Sequence, residues 1–227
     1  MQRTIVCLAN SYKHGGRCVA GICLDTEEWV RLRGNADDGA LNPREYALAN
    51  SKGELKLLDV FTAELHSPLP SDCHPEDWVI GPAPWQLVER PCPPPKWAEI
   101  AAAASSAANI FRENRDRVSA AELLAKPVKS SLTLVTPDSL WWLIRLEGDK
   151  RKNRVLFHCD HVAYDLPVTD PRWVEQMNLL PEGIYPHSML APNTGKPRLT
   201  ISLSEGFRPR SNGPIWHFWL VAGVIAI

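Results

Sequence analysis

The stretch Thr4 to Arg33 reads TIVCLANSYKHGGRCVAGICLDTEEWVRLR. It contains an apolar run, a polar loop with two glycines, a second apolar run and then alternating sequence, the order expected of three successive strands. A three-residue loop of Asp25, Thr26 and Glu27 would set Ile22 opposite Val30 and Ala20 opposite Leu32. Cys23, Gly21 and Val19 would then face Trp29, Arg31 and Arg33. Facing residues share a side of a sheet, so the hairpin is expected to turn aliphatic side chains to a core and Trp29, Arg31 and Arg33 outward. An indole between guanidiniums suits stacking on bases and neutralising phosphates.

The remaining sequence fits a β protein. A chain of 227 residues can build one large or two small cores, and 44% hydrophobic with 22% charged residues excludes a disordered tail. The net charge of −1 argues against a strongly basic nucleic-acid binder and requires any such contact to be a local patch. Twenty Pro and 13 Gly mark frequent reversals, which favour short strands over long helices. The six Cys show no CxxC pair, and Cys7, Cys18 and Cys23 fall within apolar strand patterns, as reduced thiols do in a cytoplasmic protein. The apolar run Ile5 to Ala9 is too short for a signal-peptide core, and Ile215 to Ile227 is too short to span a bilayer, so no membrane partner is expected.

Further along, Gly34 to Lys56 reads as a long loop, Leu58 to His66 as a strand and Trp85 to Glu89 as another. Four prolines in Pro91 to Pro95 introduce a helix on which Trp97, Ile100, Ala104, Ala108 and Phe111 recur at helical spacing. Strands are expected at Leu132 to Val135, Leu140 to Leu146, Arg154 to His158, Val162 to Leu166, Leu199 to Leu203 and Ile215 to Ile225. Asp170 followed by Pro171 starts a short helix ending near Asn178, and Pro181 to Pro197 reads as loop. The expected architecture is mainly β: two OB-like small β-barrels joined by a helical connection, with a short helix in the second half. The boundaries are drawn at 1–95, 96–130 and 131–227.

Three stretches, CLANSYKHGGRCVAGICL (Cys7 to Leu24), YDLPVTDPRW (Tyr164 to Trp173) and LTISLSEGF with WLVAGVI (Leu199 to Ile225), resemble the bacterial dual OB-containing domain (DuOB) family. Asn10, Ser11, Lys13, Gly16, Arg17, Cys18, Ala20 and Gly21 stand at positions matching the family's opening pattern. The resemblance implies two OB-like barrels and, by analogy of fold, recognition of nucleic acid or a nucleotide. An OB barrel holds its ligand on strands 2 and 3 between two flanking loops. Tyr12, Lys13, His14, Arg17, Trp29, Arg31 and Arg33 would then converge on one groove of the first barrel, with Lys13, Arg17, Arg31 and Arg33 on phosphates and Tyr12 and Trp29 stacking.

Each reading has a plainer competitor. The Trp29, Arg31, Arg33 face could instead be covered by the second barrel or the connecting helix, with its arginines paired to carboxylates. Lys150, Arg151, Lys152 and Arg154 read as a solvated hairpin tip or the extension of a backbone-tracking groove. His158, Cys159, Asp160 and His161 alternate sides on a strand and cannot close one tetrahedron, so no metal is assigned. His74-Pro75-Glu76 with Pro91-Cys92 is half of a zinc deaminase signature, but Pro95 stands where its second Cys belongs. Without a GxSxG, HExxH or Walker motif, no catalytic residue and no cofactor are assigned. The expected function is non-enzymatic binding of single-stranded DNA, RNA or a nucleotide through the first barrel. The alternative is a protein-interaction module of a bacterial operon, such as one of a defence system.

Overall fold

A computed structural model describes residues 1–105, 115–209 and 211–227. The first half is built from β1 (Gln2–Lys13), β2 (Gly16–Cys23), β3 (Trp29–Arg33), β4 (Val60–Pro68), β5 (Asp77–Ile80) and β6 (Gln86–Glu89). Their order is β1-β2-β3-β5-β4-β6, and β4 also pairs with β1. That second pairing closes a five-stranded barrel, with β3 and β5 parallel and the other pairs antiparallel. This connectivity is that of an OB barrel, so the expected fold class holds. The loop expected over Asn10 to Arg17 is mostly strand, and only His14 and Gly15 turn, at φ values of 45° and 88°. The barrel's last strand is β5, a four-residue segment that pattern reading passed over.

The β2–β3 register differs from the expected one by a residue. Cys23 and Glu28 are joined by a backbone hydrogen bond, leaving four residues between them, and Ile22 pairs with Trp29, Gly21 with Val30, Ala20 with Arg31 and Val19 with Leu32. The slip moves Ile22, Ala20 and Cys18 to the side of Trp29, Arg31 and Arg33. It leaves Val30 and Leu32 buried as expected.

Next come α1 (Pro94–Ala104), β7 (Arg117–Ser119) and α2 (Ala120–Ala125). Prolines occupy the first turn of α1, where an amide has no partner to lose, and Trp97, Ile100, Ala101 and Ala104 form its buried face. Ala108 and Phe111 lie outside the described residues. Ser119 caps α2 by accepting from the Glu122 amide, while the Glu122 carboxylate reaches back to the Ser119 amide.

The second half contains β8 (Leu132–Val135), β9 (Ser139–Glu147), β10 (Lys150–Cys159), β11 (Val162–Pro167), α3 (Pro171–Asn178), β12 (Gly183–Pro186), α4 (His187–Leu190), β13 (Arg198–Leu203) and β14 (Trp216–Ile225). β12 and α4 fall where a loop was expected. Two sheets result, β11-β10-β9-β12 and β7-β14-β13-β8, and they meet where Val168 bridges Val221 in parallel. The third strand of a meander again lies parallel to the last strand. Here β13 pairs with β8 and not with β9, so the second barrel is a curled, open one.

The halves share their packing. Leu132, Leu134, Ala222 and Ile225 belong to the same buried cluster as Ile5, Leu8, Leu32, Phe61 and Trp85. At the seam, Leu8 is a bulge in β1 and Ala222 a bulge in β14. The Leu8 carbonyl accepts from Thr200 Oγ1 at 2.6 Å. Gly223 passes so close that a Cβ there would lie 2.4 Å from the Leu8 oxygen. A second cluster, with Trp142, Phe157, Trp173, Leu199 and Trp219, fills the other half.

Candidate nucleic-acid interface

The expected groove on the first barrel is covered. Trp29 is 9% exposed, and its indole N–H donates to the carbonyl of Ala104 at the end of α1. Arg31 is 3% exposed and grips Asp77 with two hydrogen bonds of 2.5 and 2.8 Å. Burial opposes that guanidinium's charge, but the Asp77 carboxylate outweighs it, so the Arg31 pKa is pushed further up. Arg33 bonds Asp77 at 3.2 Å and Glu205 at 3.1 Å, and Lys13 bonds Glu205 at 2.7 Å. Glu205 lies in the β13–β14 connection, so the second half supplies the carboxylate that quenches two cations of the first. Nearby, the Ser131 amide and hydroxyl donate to Glu76, and His74 Nε2 donates to the Leu203 carbonyl. The plainer reading of this face, closure by helix and second barrel with paired arginines, is the one the coordinates show.

The other named residues lie at the β1–β2 hairpin. His14 is exposed and its Nδ1 lies 2.8 Å from Asp38. Tyr12 is half-exposed, with the Arg17 guanidinium 4.6 Å from its ring centre. Arg17 bonds Glu54 at 3.2 Å. Thus Tyr12 and Arg17 share a site, whereas Trp29, Arg31 and Arg33 belong to the buried seam.

Among the described residues, the face left open is the outer side of β9, β10 and β11, the meander of the second half. Two two-residue hairpins fix its register. Glu147 pairs with Lys150 across Gly148-Asp149, and Cys159 pairs with Val162 across Asp160-His161, with both of the latter at positive φ. Trp141 therefore sits beside Leu156 and Asp165 in one row, and Ser139 beside His158 and Ala163 in the next. The alternate residues Trp142, Ile144, Val155 and Phe157 are buried. Lys150, exposed, closes the β9–β10 hairpin at its tip, whereas Arg151 is partly buried and donates to the carbonyls of Met177 and Leu180.

A groove of about 610 Å³ runs along this face, with Trp141, Leu156 and His158 on the sheet side, and at the β11 edge it reaches Tyr164, which belongs to the core-facing row of Phe157. Arg115, Arg117 and Arg154 line it as well. Trp141 is 40% exposed and stands edge-on to the His158 ring at 6.5 Å. Arg117 lies 5.1 Å from the Trp216 ring centre, and Arg154 is paired with Asp165. Tyr164 stacks on Phe157 at 5.1 Å, and burial pushes its phenol pKa up. With Asp116 and Asp165 also lining the groove, its potential is mixed in sign. Stacking is therefore the larger contribution such a surface can make. The register signal for this face was present in Trp141-Trp142, where one indole of an adjacent pair must point away from the core.

Among the described residues, no group of three or more His, Cys, Asp or Glu is placed to hold a metal ion, and no helix is long and apolar enough to cross a membrane. The sequence model of the dual OB-containing domain matches residues 3–224. No curated protein matches the chain. Among solved structures, a murine DNA-binding protein bound with double-stranded DNA aligns over 100% of both chains with 11% identity and a TM-score of 0.27. At that degree of superposition the likeness bears no weight.

Proposed function

The chain belongs to the dual OB-containing domain family, and from that premise we propose that it is a non-catalytic binding protein for single-stranded nucleic acid, with the ligand on the outer face of β9–β11 and not on the first barrel. One observation carries this reading: the half-exposed Trp141 of β9 stands in a groove shared with His158 and three arginines, beside β10 and β11, the second and third strands of the meander, which an OB barrel uses for its ligand. Splayed bases offer a π-face to such a plate, whereas a duplex does not. The mixed charge makes the affinity modest and its salt dependence shallow. Anisotropy of labelled oligo(dT) and oligo(U) at two salt concentrations tests this. Trp141→Ala should weaken binding about 5- to 150-fold, the loss of one base stack of roughly 1–3 kcal/mol. Retention unchanged by Trp141→Ala, or no retention at low salt, would sink the proposal.

A protein partner is the second reading, favoured by a different observation. Ile184, Leu146 and Leu179 are exposed around the β9–β12 edge, Ile184 at 60%. Loss of a partner on Ile184→Glu, with oligonucleotide binding intact, would favour it.

A further inference from the structure

Two of the stretches that carry the family resemblance are about 150 residues apart in sequence and meet in space. A small pocket of about 100 Å³ is lined by Asn10 and Arg17 from the first stretch, Asp170, Pro171 and Arg172 from the second, and the Glu54–Leu57 segment. The same seam is tied by backbone bonds from the Tyr12 amide to the Thr169 carbonyl and from the Thr169 amide to the Val221 carbonyl.

Two polar atoms of this lining lack a partner among the described residues. Asn10 is 8% exposed, and its Nδ2 donates to the Leu55 carbonyl at 2.8 Å. That bond fixes the amide so that Oδ1 is the unpaired acceptor. Arg17 is 9% exposed, and its Nη2 is held by Glu54 while the buried Nη1 donor has nothing to bond. Leaving either group unsatisfied is unfavourable, because its desolvation is not offset by a hydrogen bond. Arg172 adds a second guanidinium at the rim, its side chain half-exposed. The Asp170 carboxylate is already taken up as the cap of α3, accepting from the amides of Arg172, Trp173 and Val224. Glu54 is 63% exposed, so solvent screens its charge.

We infer that this pocket binds a phosphate group in a form that carries a P–OH. Its bare oxygens would accept from Arg17 Nη1 and Arg172, and its hydroxyl would donate to Asn10 Oδ1. The volume admits a phosphate. The exposed ring of Tyr12 lies 4.6 Å from the Arg17 guanidinium. The inference does not depend on the oligonucleotide reading, since the residues are distinct from those lining the β9–β11 groove.

Requirement for a donor sets the specificity. At pH 5.5, where the titrations are run, inorganic phosphate and a phosphate monoester, whose second pKa is about 6, both carry a P–OH, and sulfate carries none. Isothermal titration of the full chain with phosphate, sulfate, acetate and a nucleoside 5′-monophosphate, at constant ionic strength, reads this directly. Phosphate should bind at least tenfold more tightly than sulfate or acetate, and Arg172→Gln, a rim substitution that leaves the core untouched, should weaken it about tenfold. Arg17→Gln should abolish it; if that variant fails to fold, Arg172→Gln and Asn10→Leu carry the test. Tighter binding of the monophosphate than of phosphate identifies a monoester as the source, and the reverse identifies the free ion. Absence of phosphate binding, equal binding of sulfate or acetate, or binding that survives Arg172→Gln overturns the inference.

Discussion

Substituting Arg31 by Met is the sharpest test of the closed first barrel. The change keeps most of the side chain's apolar length and deletes the guanidinium, leaving the Asp77 carboxylate, 2% exposed, with only the Arg33 contact at 3.2 Å. Removing one partner of a buried ion pair costs about 3–5 kcal/mol. Because Arg33 still neutralises part of the charge, the lower end, about 3 kcal/mol, is expected. For a chain of this size, each kcal/mol lowers Tm by about 2–4 °C, so the midpoint should fall by roughly 6–12 °C. Urea unfolding followed by tryptophan fluorescence measures it, with an unchanged m value showing that only stability has moved. Adding Asp77→Asn to Arg31→Met removes the orphaned charge and should recover part of the loss. An outward-facing Arg31 would behave differently, costing under about 1 kcal/mol as exposed ion pairs do and weakening oligonucleotide binding. That pair of results would refute the seam as described.

Three other perturbations have expected outcomes. Burial pushes the Glu205 carboxyl up, but Lys13 and Arg33 outweigh it and hold its pKa below the usual 4.5. An acid depressed in this way stabilises the fold above its unfolded pKa and loses that contribution as the pH falls through the folded value. Acidification from pH 5 to pH 3 should therefore lower the urea midpoint of the wild type more than that of Glu205→Gln, and parallel profiles would count against it. Burial also pushes the Cys73 thiol up, yet hydrogen bonding to His74 and Ser71 brings it net below the ordinary value, while burial raises Cys92 and Cys159. Iodoacetamide at pH 7 with peptide mapping should label Cys73 before those two, and slower labelling would contradict the His74 contact. Gly21→Ala would place a Cβ 1.9 Å from the Val6 oxygen, parting β1 from β2, so a loss of about 3 kcal/mol or more is expected. A variant as stable as wild type by thermal unfolding would mean that the two strands do not approach so closely.

Much of the fold was legible because local chemistry settles it. Asp170 before Pro171 marks the start of α3, where Asp170 does accept from the Arg172 and Trp173 amides. Strand patterns between Leu132 and Ile225 located most of the second half. The β2–β3 register failed on one loop residue, since a loop of three residues between Leu24 and Glu28 and one of four between Cys23 and Glu28 both satisfy the turn chemistry while giving opposite facing sets. The candidate site misled for a different reason. Alternation tells which residues of β3 share a side, but the partners that close that side, Ala104, Ser131 and Glu205, lie up to 172 residues away. No periodicity encodes them. The pocket at Asn10 and Arg17 was half-visible, since both positions were marked by the family pattern without any sign that Arg172 would join them.

The bulged Leu8, held by Thr200 and Gly223, bears on how the protein is made. Nascent chains ordinarily settle their leading domain while the remainder is still in the ribosome. Here the opening strand waits for nearly the last one: at 5–20 residues per second, roughly 10–40 s separate the synthesis of Leu8 from that of Gly223. During that interval the leading barrel presents an uncapped apolar flank, exposed to holdase chaperones and to neighbouring polysomes. Loss of β14 would therefore do its damage in the barrel built from the earlier strands, some two hundred residues before it.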